Sequence, residues 1–214
     1  AVFESVELKQ QIFYDLERAC PPHCILSTNT STIDLDVCAA RMQDPTRIVG
    51  NHFFSPAQIM PLLEIVRSKK TQPQVVLDCL AFSKVIKKTP VVVGNCTGFA
   101  VNRVFFPYSM AAAMLVDMGI DPYTIDKVIS KKFGMPMGPF RLADLVGADI
   151  SLHVGANFSE SFPERVYKGA LIPALNKAGR LGEKTGSGFY KFDDRRKATP
   201  DPEGMKEYIV ASAK

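Results

Sequence analysis

Two residue types able to share a proton stand in neighbouring apolar runs. His52 lies in Asn51-His52-Phe53-Phe54-Ser55-Pro56, and Glu64 lies in Ile59-Met60-Pro61-Leu62-Leu63-Glu64-Ile65-Val66. A carboxylate in an apolar run is costly to bury without a partner, and His52 is the nearest candidate. A carboxylate on one imidazole nitrogen fixes the tautomer and stabilises the protonated ring, which is what a general base needs. By spacing alone the histidine equally suits a hydrogen-bonded structural role before a turn, so the pair has to be weighed with the rest of the chain.

The elements that must position this pair can be read from the pattern around it. Residues 47–54 read as a buried strand stopped by Pro56, which cannot donate to a ladder, and residues 62–66 read as the next strand. Before them, residues 4–20 predict an amphipathic helix carrying Val6, Leu8, Ile12, Phe13 and Leu16, without a usual capped start and ended by Pro21-Pro22. Residues 24–27 predict a short buried strand, followed by the polar run 28–32. A helix over about 33–41 follows, with Ser31 or Thr32 as N-cap and Asp34 in its first turn. Residues 74–87 read as helix and 90–93 as strand. This succession predicts an α/β unit with a mixed or parallel sheet. Residues 27–31, Asn51-His52 and Gly94-Asn95 then lie beyond strand ends, where open α/β sheets bind ligands.

After residue 95 the pattern turns helical: 98–118, then 121–132 with Asp121 as cap and Pro122 in first position, then a stretch beginning at 141–146. Residues 158–178 read as a helix broken at Pro163 and Pro173. The expected architecture is therefore α/β followed by all-α. Residues 193–214 are charged and proline-containing, and read as an exposed linker or tail.

Composition narrows the function classes. A chain of 214 residues with 46% hydrophobic content can bury the core of one or two domains. Lys+Arg 26 against Asp+Glu 22 leaves a formal +4, scattered along the chain, which suits an anionic small molecule at least as well as a polynucleotide. Arg195-Arg196-Lys197 has no aromatic platform and reads as a solvated cluster rather than a nucleic-acid patch. No apolar run approaches the roughly 20 residues of a membrane span, and the first residues do not resemble a signal peptide. The five cysteines form no CxxC pair and are odd in number, which suits a reducing compartment. His23, His52 and His153 have no clustered ligands, so no metal site is expected. Neither a G-x-G-x-x-G after a first strand nor a P-loop is present. If the α/β unit binds a nucleotide, its phosphate-cradling half is expected upstream of Ala1.

Several stretches, taken in order, carry a family resemblance: AVFESVELKQQIF (1–13), LSTNTSTIDL (26–35), NHFFSPAQIMPLLEIV (51–66), VVVGNCTGFAVNRVFFPY (91–108), GMPMGPFRLADLVGADI (134–150) and GRLGEKTGSGFYKF (179–192). Together they resemble the 3-hydroxyacyl-CoA dehydrogenase family, in particular the dehydrogenase portion of plant-type peroxisomal (glyoxysomal) multifunctional β-oxidation proteins. The resemblance implies the C-terminal half of a Rossmann-like NAD-binding domain over 1–94 and a helical dehydrogenase domain over 95–192. It implies NAD as cofactor and 3-hydroxyacyl-CoA and 3-ketoacyl-CoA as substrate and product. It also implies an enoyl-CoA hydratase/isomerase domain upstream, a further helical domain downstream, association through the helical domain, and a peroxisomal setting.

By position, His52 matches the family's catalytic base and Glu64 its carboxylate partner. Ser31 matches a serine contacting substrate and nicotinamide, and Asn102 matches the active-site asparagine. Glu4, Lys9 and Lys184 match NAD-contacting positions. Ser55 departs from the Asn of single-function relatives and matches the multifunctional branch. By residue type alone, Ser31 reads first as a helix cap, and Asn102 is equally a polar helix residue. Glu4 is equally a first-turn charge, and Lys9 and Lys184 read as solvated lysines. Three rival functions stand beside the dehydrogenase: a catalytically silent packing or interaction module, a related NAD-dependent hydroxy-acid dehydrogenase acting on free acids, and nucleic-acid binding.

Overall fold

The computed structural model describes residues 2, 5–31 and 33–212. The chain divides into two compact units, 1–103 and 104–214.

In the first unit, helix α1 (Val6–Ala19) starts at Ser5, whose hydroxyl accepts from the Leu8 N–H, so the helix does have a capped start. It ends where Pro21-Pro22 cannot continue it, and it buries Phe13 and Lys9. Strand β1 (Leu26–Thr28), helix α2 (Leu35–Cys38), strands β2 (Ile48–Phe53) and β3 (Leu62–Arg67), helix α3 (Pro73–Val85) and strand β4 (Thr89–Gly94) come next along the chain. The four-stranded sheet has the order β1-β2-β3-β4. β1 and β2 are parallel, β2 and β3 antiparallel, and β3 and β4 parallel, so the sheet is mixed.

Alternate residues of β2 feed two separate cores. Ile48 packs with Phe13, Leu26, Cys38, Ala39 and Met42 under α1 and α2. Val49 packs with Leu63, Ile65, Val75 and Cys79 under α3. Both faces of the central strands are thus covered, which explains their near-continuous apolar sequence.

α2 is shorter than its pattern predicts. Its cap is Asp34, whose carboxylate accepts from the Asp36 and Val37 N–H groups, rather than Ser31; Thr32, the other candidate, lies outside the described residues. A carboxylate adjacent to the first turn satisfies two orphan donors at once and fixes the helix start there.

In the second unit, helix α4 (Val101–Asp117), which begins just before the division, precedes α5 (Pro122–Lys132), α6 (Pro139–Val146), α7 (Ala148–Ser161) and α8 (Leu171–Lys177). Asp121 caps α5 with Pro122 behind it, as the sequence predicts. Pro163 lies between α7 and α8, but Pro173 does not break a helix. It sits in the first turn of α8, where its missing N–H would have had no intrahelical partner.

The unit is helical, as expected, with one short hairpin added, and residues 193–212 are not a linker or tail. Strands β5 (Tyr190–Phe192) and β6 (Ala198–Pro200) form an antiparallel hairpin, and helix α9 (Pro202–Ser212) comes after it. The charged residues that suggest a linker build the turn instead: the Asp193 carboxylate accepts from the Arg195 and Lys197 N–H groups. Asp201 accepts from the Gly204 N–H ahead of Pro202, a cap-and-proline helix start. Met205 is fully buried, in a core with Val116, Phe140, Leu171, Leu175 and Phe189. Buried carboxylates tie this unit together. Asp126 accepts from the Phe140 and Arg141 N–H groups at the start of α6 and from the Tyr190 hydroxyl. Asp144 accepts from the Phe189 and Tyr190 N–H groups, yet burial pushes its carboxyl up to about 6.

If residues 193–212 are part of the second unit's core, Met205→Ala destabilises the chain by about 2–5 kcal/mol, the range for truncating a buried large side chain. Chemical denaturation measures this; a change within a few tenths of a kcal/mol would mean the helix is not docked.

Candidate active site

Antiparallel pairing of β2 with β3 sets His52 directly opposite Glu64. Opposed residues of such a pair project to the same face of the sheet. The His52 Nδ1 lies 2.7 Å from Glu64 Oε2. Glu64 has no exposed surface, and His52 is 7% exposed. The second carboxylate oxygen, Oε1, accepts two hydrogen bonds of 2.9 Å from the N–H groups of Ala100 and Val101. These belong to the start of α4, where N–H groups lack intrahelical partners and the helix dipole favours negative charge. Burial pushes the Glu64 carboxyl up, but the bonds from His52, Val101 and Ala100 more than offset that, and the net direction is downward from the ordinary glutamate range.

An ionised carboxylate can only accept, so the His52 Nδ1 carries the proton and, in the neutral ring, Nε2 keeps its lone pair. Phe54 and Phe99 pack around the imidazole, at ring-centroid distances of 4.7 and 5.6 Å. The pair can therefore take up and return a proton at Nε2 while the carboxylate compensates the charge on the ring.

Other turns hold the neighbourhood in place. The Asn29 Oδ1 accepts from the Phe53 N–H at 2.8 Å, tying the exit of β1 to the end of β2 beside His52. The Asn95 Oδ1 accepts from the Leu35 N–H, tying the turn after β4 to the start of α2.

Of the residues singled out in the sequence, His52 and Glu64 are in direct contact. Asn102 is half-buried in the first turn of α4, next to the two N–H groups that hold Glu64. Ser31 is half-buried in the turn between β1 and α2. Lys9 is buried, at 6% exposure, so it is not a solvated lysine. Lys184 lies in the second unit and pairs with Asp149 at 2.5 Å. Glu4 lies outside the described residues. Sequence reading missed the Ala100 and Val101 N–H groups, Asn29 and Phe99. A backbone donor has no side-chain signature, and the one available cue is Gly98 just ahead of the apolar helix.

The geometry predicts how acid acts on this unit. A carboxyl whose folded value is lowered contributes stability above its ordinary value, and that contribution is lost as pH falls through the folded value. Glu64→Gln should thus cost about 1.5–3 kcal/mol at neutral pH, the scale of hydrogen bonds to a charged group. It should also flatten the loss of stability below about pH 4.5. Denaturation at a series of pH values tests both; an unchanged acid slope would show that Glu64 is not ionised in the folded chain.

Residues 1–96 match the family model of the 3-hydroxyacyl-CoA dehydrogenase NAD binding domain, and residues 98–192 match that of the 3-hydroxyacyl-CoA dehydrogenase C-terminal domain. A glyoxysomal fatty acid beta-oxidation multifunctional protein of Cucumis sativus is 61% identical over 98% of this chain; the chain spans 29% of that relative's length. Among solved structures, FadB2 of M. tuberculosis is similar with a TM-score of 0.86 and 34% identity, covering 90% of this chain and 69% of its own. The (S)-3-hydroxybutyryl-CoA dehydrogenase PaaH1 of Ralstonia eutropha has a TM-score of 0.86 and 33% identity, covering 91% of this chain and 69% of its own. Two family models matching in sequence order, together with these structural likenesses, lead to one conclusion: the chain belongs to the 3-hydroxyacyl-CoA dehydrogenase family.

Proposed function

We propose that this chain performs the proton-transfer and substrate-positioning part of the NAD-dependent oxidation of L-3-hydroxyacyl-CoA to 3-ketoacyl-CoA, within a larger multifunctional fatty-acid β-oxidation enzyme. The observation that carries this reading is the buried His52–Glu64 pair, 2.7 Å apart, with Glu64 held by the start of a helix.

NAD fits part of this chain. The carboxyl ends of the parallel strands β1 and β2 lie side by side, and that edge is where open α/β sheets receive a dinucleotide. Ser31 in the β1–α2 turn follows the end of β1, and Lys9 is buried in α1; a neutral donor and a cation suit a nicotinamide ribose and its phosphates. No G-x-G-x-x-G is present to cradle a pyrophosphate, so the fit extends to the nicotinamide end. Ser31 and Lys9 would hold that end, with Glu4 and Lys184 as further contacts by family resemblance. Bound NAD supplies the hydride acceptor.

The chain's own residues do the rest. The His52 Nε2 takes the proton of the substrate's 3-hydroxyl group. Glu64, already ionised, stabilises the imidazolium without taking the proton itself. Ser31 and Asn102 donate hydrogen bonds to the substrate oxygen as its charge changes. In the reverse direction His52 returns the proton to the oxygen. The phenyl rings of Phe54 and Phe99 keep water off the imidazole.

The likeness to glyoxysomal multifunctional proteins supports a peroxisomal setting and further domains beside this chain; by family resemblance these are an enoyl-CoA hydratase/isomerase domain and a helical domain, with association through the helical unit.

NADH-dependent reduction of acetoacetyl-CoA by the full-length protein tests the function. His52→Gln should lose roughly two to four orders of magnitude in rate, the scale of general acid–base catalysis. Equal turnover of free acetoacetate would move the assignment to a free-acid dehydrogenase, and an unaffected His52→Gln would remove His52 as the base. A folded but inactive full-length protein would favour the silent module.

A further inference from the structure

We propose that Phe99 is a positioning residue for proton transfer, acting through Glu64. The proposal rests on the His52–Glu64 reading above and extends it to the segment that aims the helix.

Strand β4 ends at Gly94 and helix α4 begins at Val101, so residues 95–100 must redirect the chain until the first N–H groups of the helix face Glu64. Two consecutive residues there take the left-handed conformation, Gly98 at φ 75° and Phe99 at φ 48°. Glycine enters that region freely. Phenylalanine does not, because its Cβ crowds the following carbonyl. A bulky residue held in this region marks a place where the surroundings over-determine the backbone, and such places cluster at functional sites.

The surroundings of Phe99 are visible. Its N–H donates to the Cys96 carbonyl at 2.9 Å. Its ring, 3% exposed, packs with Leu35 and Val66 and meets the His52 imidazole edge-on. The ring is thus an anchor, and the strained backbone behind it points the next two N–H groups, of Ala100 and Val101, at Glu64 Oε1. One residue sets both the wall of the imidazole and the donors that hold its carboxylate partner. Glycine at position 99 would permit the turn but lose the anchor. A β-branched residue would keep apolar bulk but resist the turn.

Three variants test this. Phe99→Val disfavours the left-handed backbone, so the N–H groups swing away and Glu64 becomes more basic. Phe99→Gly permits the turn but removes both the anchor and the wall of the imidazole, so the two N–H groups lose their hold as well. Gly98→Ala strains the same turn and leaves the Phe99 ring present, and it serves if Phe99→Val fails to fold. For the full-length protein the readout is the acid limb of the pH dependence of kcat/KM with a 3-hydroxyacyl-CoA. Phe99→Val and Gly98→Ala should move that limb to higher pH, with kcat falling about tenfold and KM changing less. Phe99→Gly, which loses the anchor, should move the limb in the same direction.

The titration of the His52 ring, observed by NMR with 15N-labelled histidine, reads the same shift whether or not the protein turns over. It therefore fails separately from the dehydrogenase reading. An acid limb and ring titration unmoved in both Phe99→Val and Gly98→Ala would overturn the proposal. So would a shift in Phe99→Gly with none in Gly98→Ala, which would assign the effect to ring packing alone.

Discussion

A carboxylate with no exposed surface in a sheet packed on both faces has to be compensated by partners that are already in place. Glu64 is such a group, and the first unit is arranged around satisfying it. One oxygen meets an imidazole and the other meets two backbone N–H groups. Losing either set would leave a buried charge partly unpaired, a larger penalty than the net gain from any single hydrogen bond. The same compensation keeps the carboxyl ionised, and an ionised Glu64 is what orients the histidine.

That requirement explains the topology. Pairing β3 parallel to β2 would need a long crossover. The antiparallel turn between β2 and β3 instead brings Glu64 opposite His52 within one short connection. The parallel pairing of β3 with β4 then delivers the chain at Gly94 to the same end of the sheet as Arg67. From there the residue 95–100 turn can lead back to set the start of α4 against Glu64. Strand register, the turn and the helix start are three local decisions that agree on one carboxylate. Asn29 and Asn95 fasten the turns that flank them.

Much of this was legible in the sequence, for reasons that particular residues make plain. Proline at 56 and the apolar runs on either side of it announced two strands, and an acid inside one of them announced a buried partner. Asp121-Pro122 announced a helix start in the same way. Asp201-Pro202 carried the same signal, with Met205, Tyr208 and Ile209 at helical spacing behind it, but the neighbouring charges of 193–197 masked it. Those charges turned out to be turn-formers: composition reports solvation, whereas the Asp193 carboxylate is engaged with backbone N–H groups. The partners of Glu64 at Ala100 and Val101 were not legible at all. Every residue other than proline has an N–H, and only the fold decides which ones are left without a helical partner. The left-handed Phe99 was hidden for the opposite reason, since its type argues against the conformation it adopts.

The central claim is that an ionised, buried Glu64 fixes the His52 ring with its proton on Nδ1 and a lone pair on Nε2. With only three histidines in the chain, 15N-labelled histidine NMR resolves the tautomer directly. The account predicts that neutral His52 shows a protonated, strongly hydrogen-bonded Nδ1 and an unprotonated Nε2, and that Glu64→Gln disturbs this preference. A neutral His52 protonated on Nε2 in the unaltered protein would contradict it, because Nε2 could then no longer accept the substrate's proton.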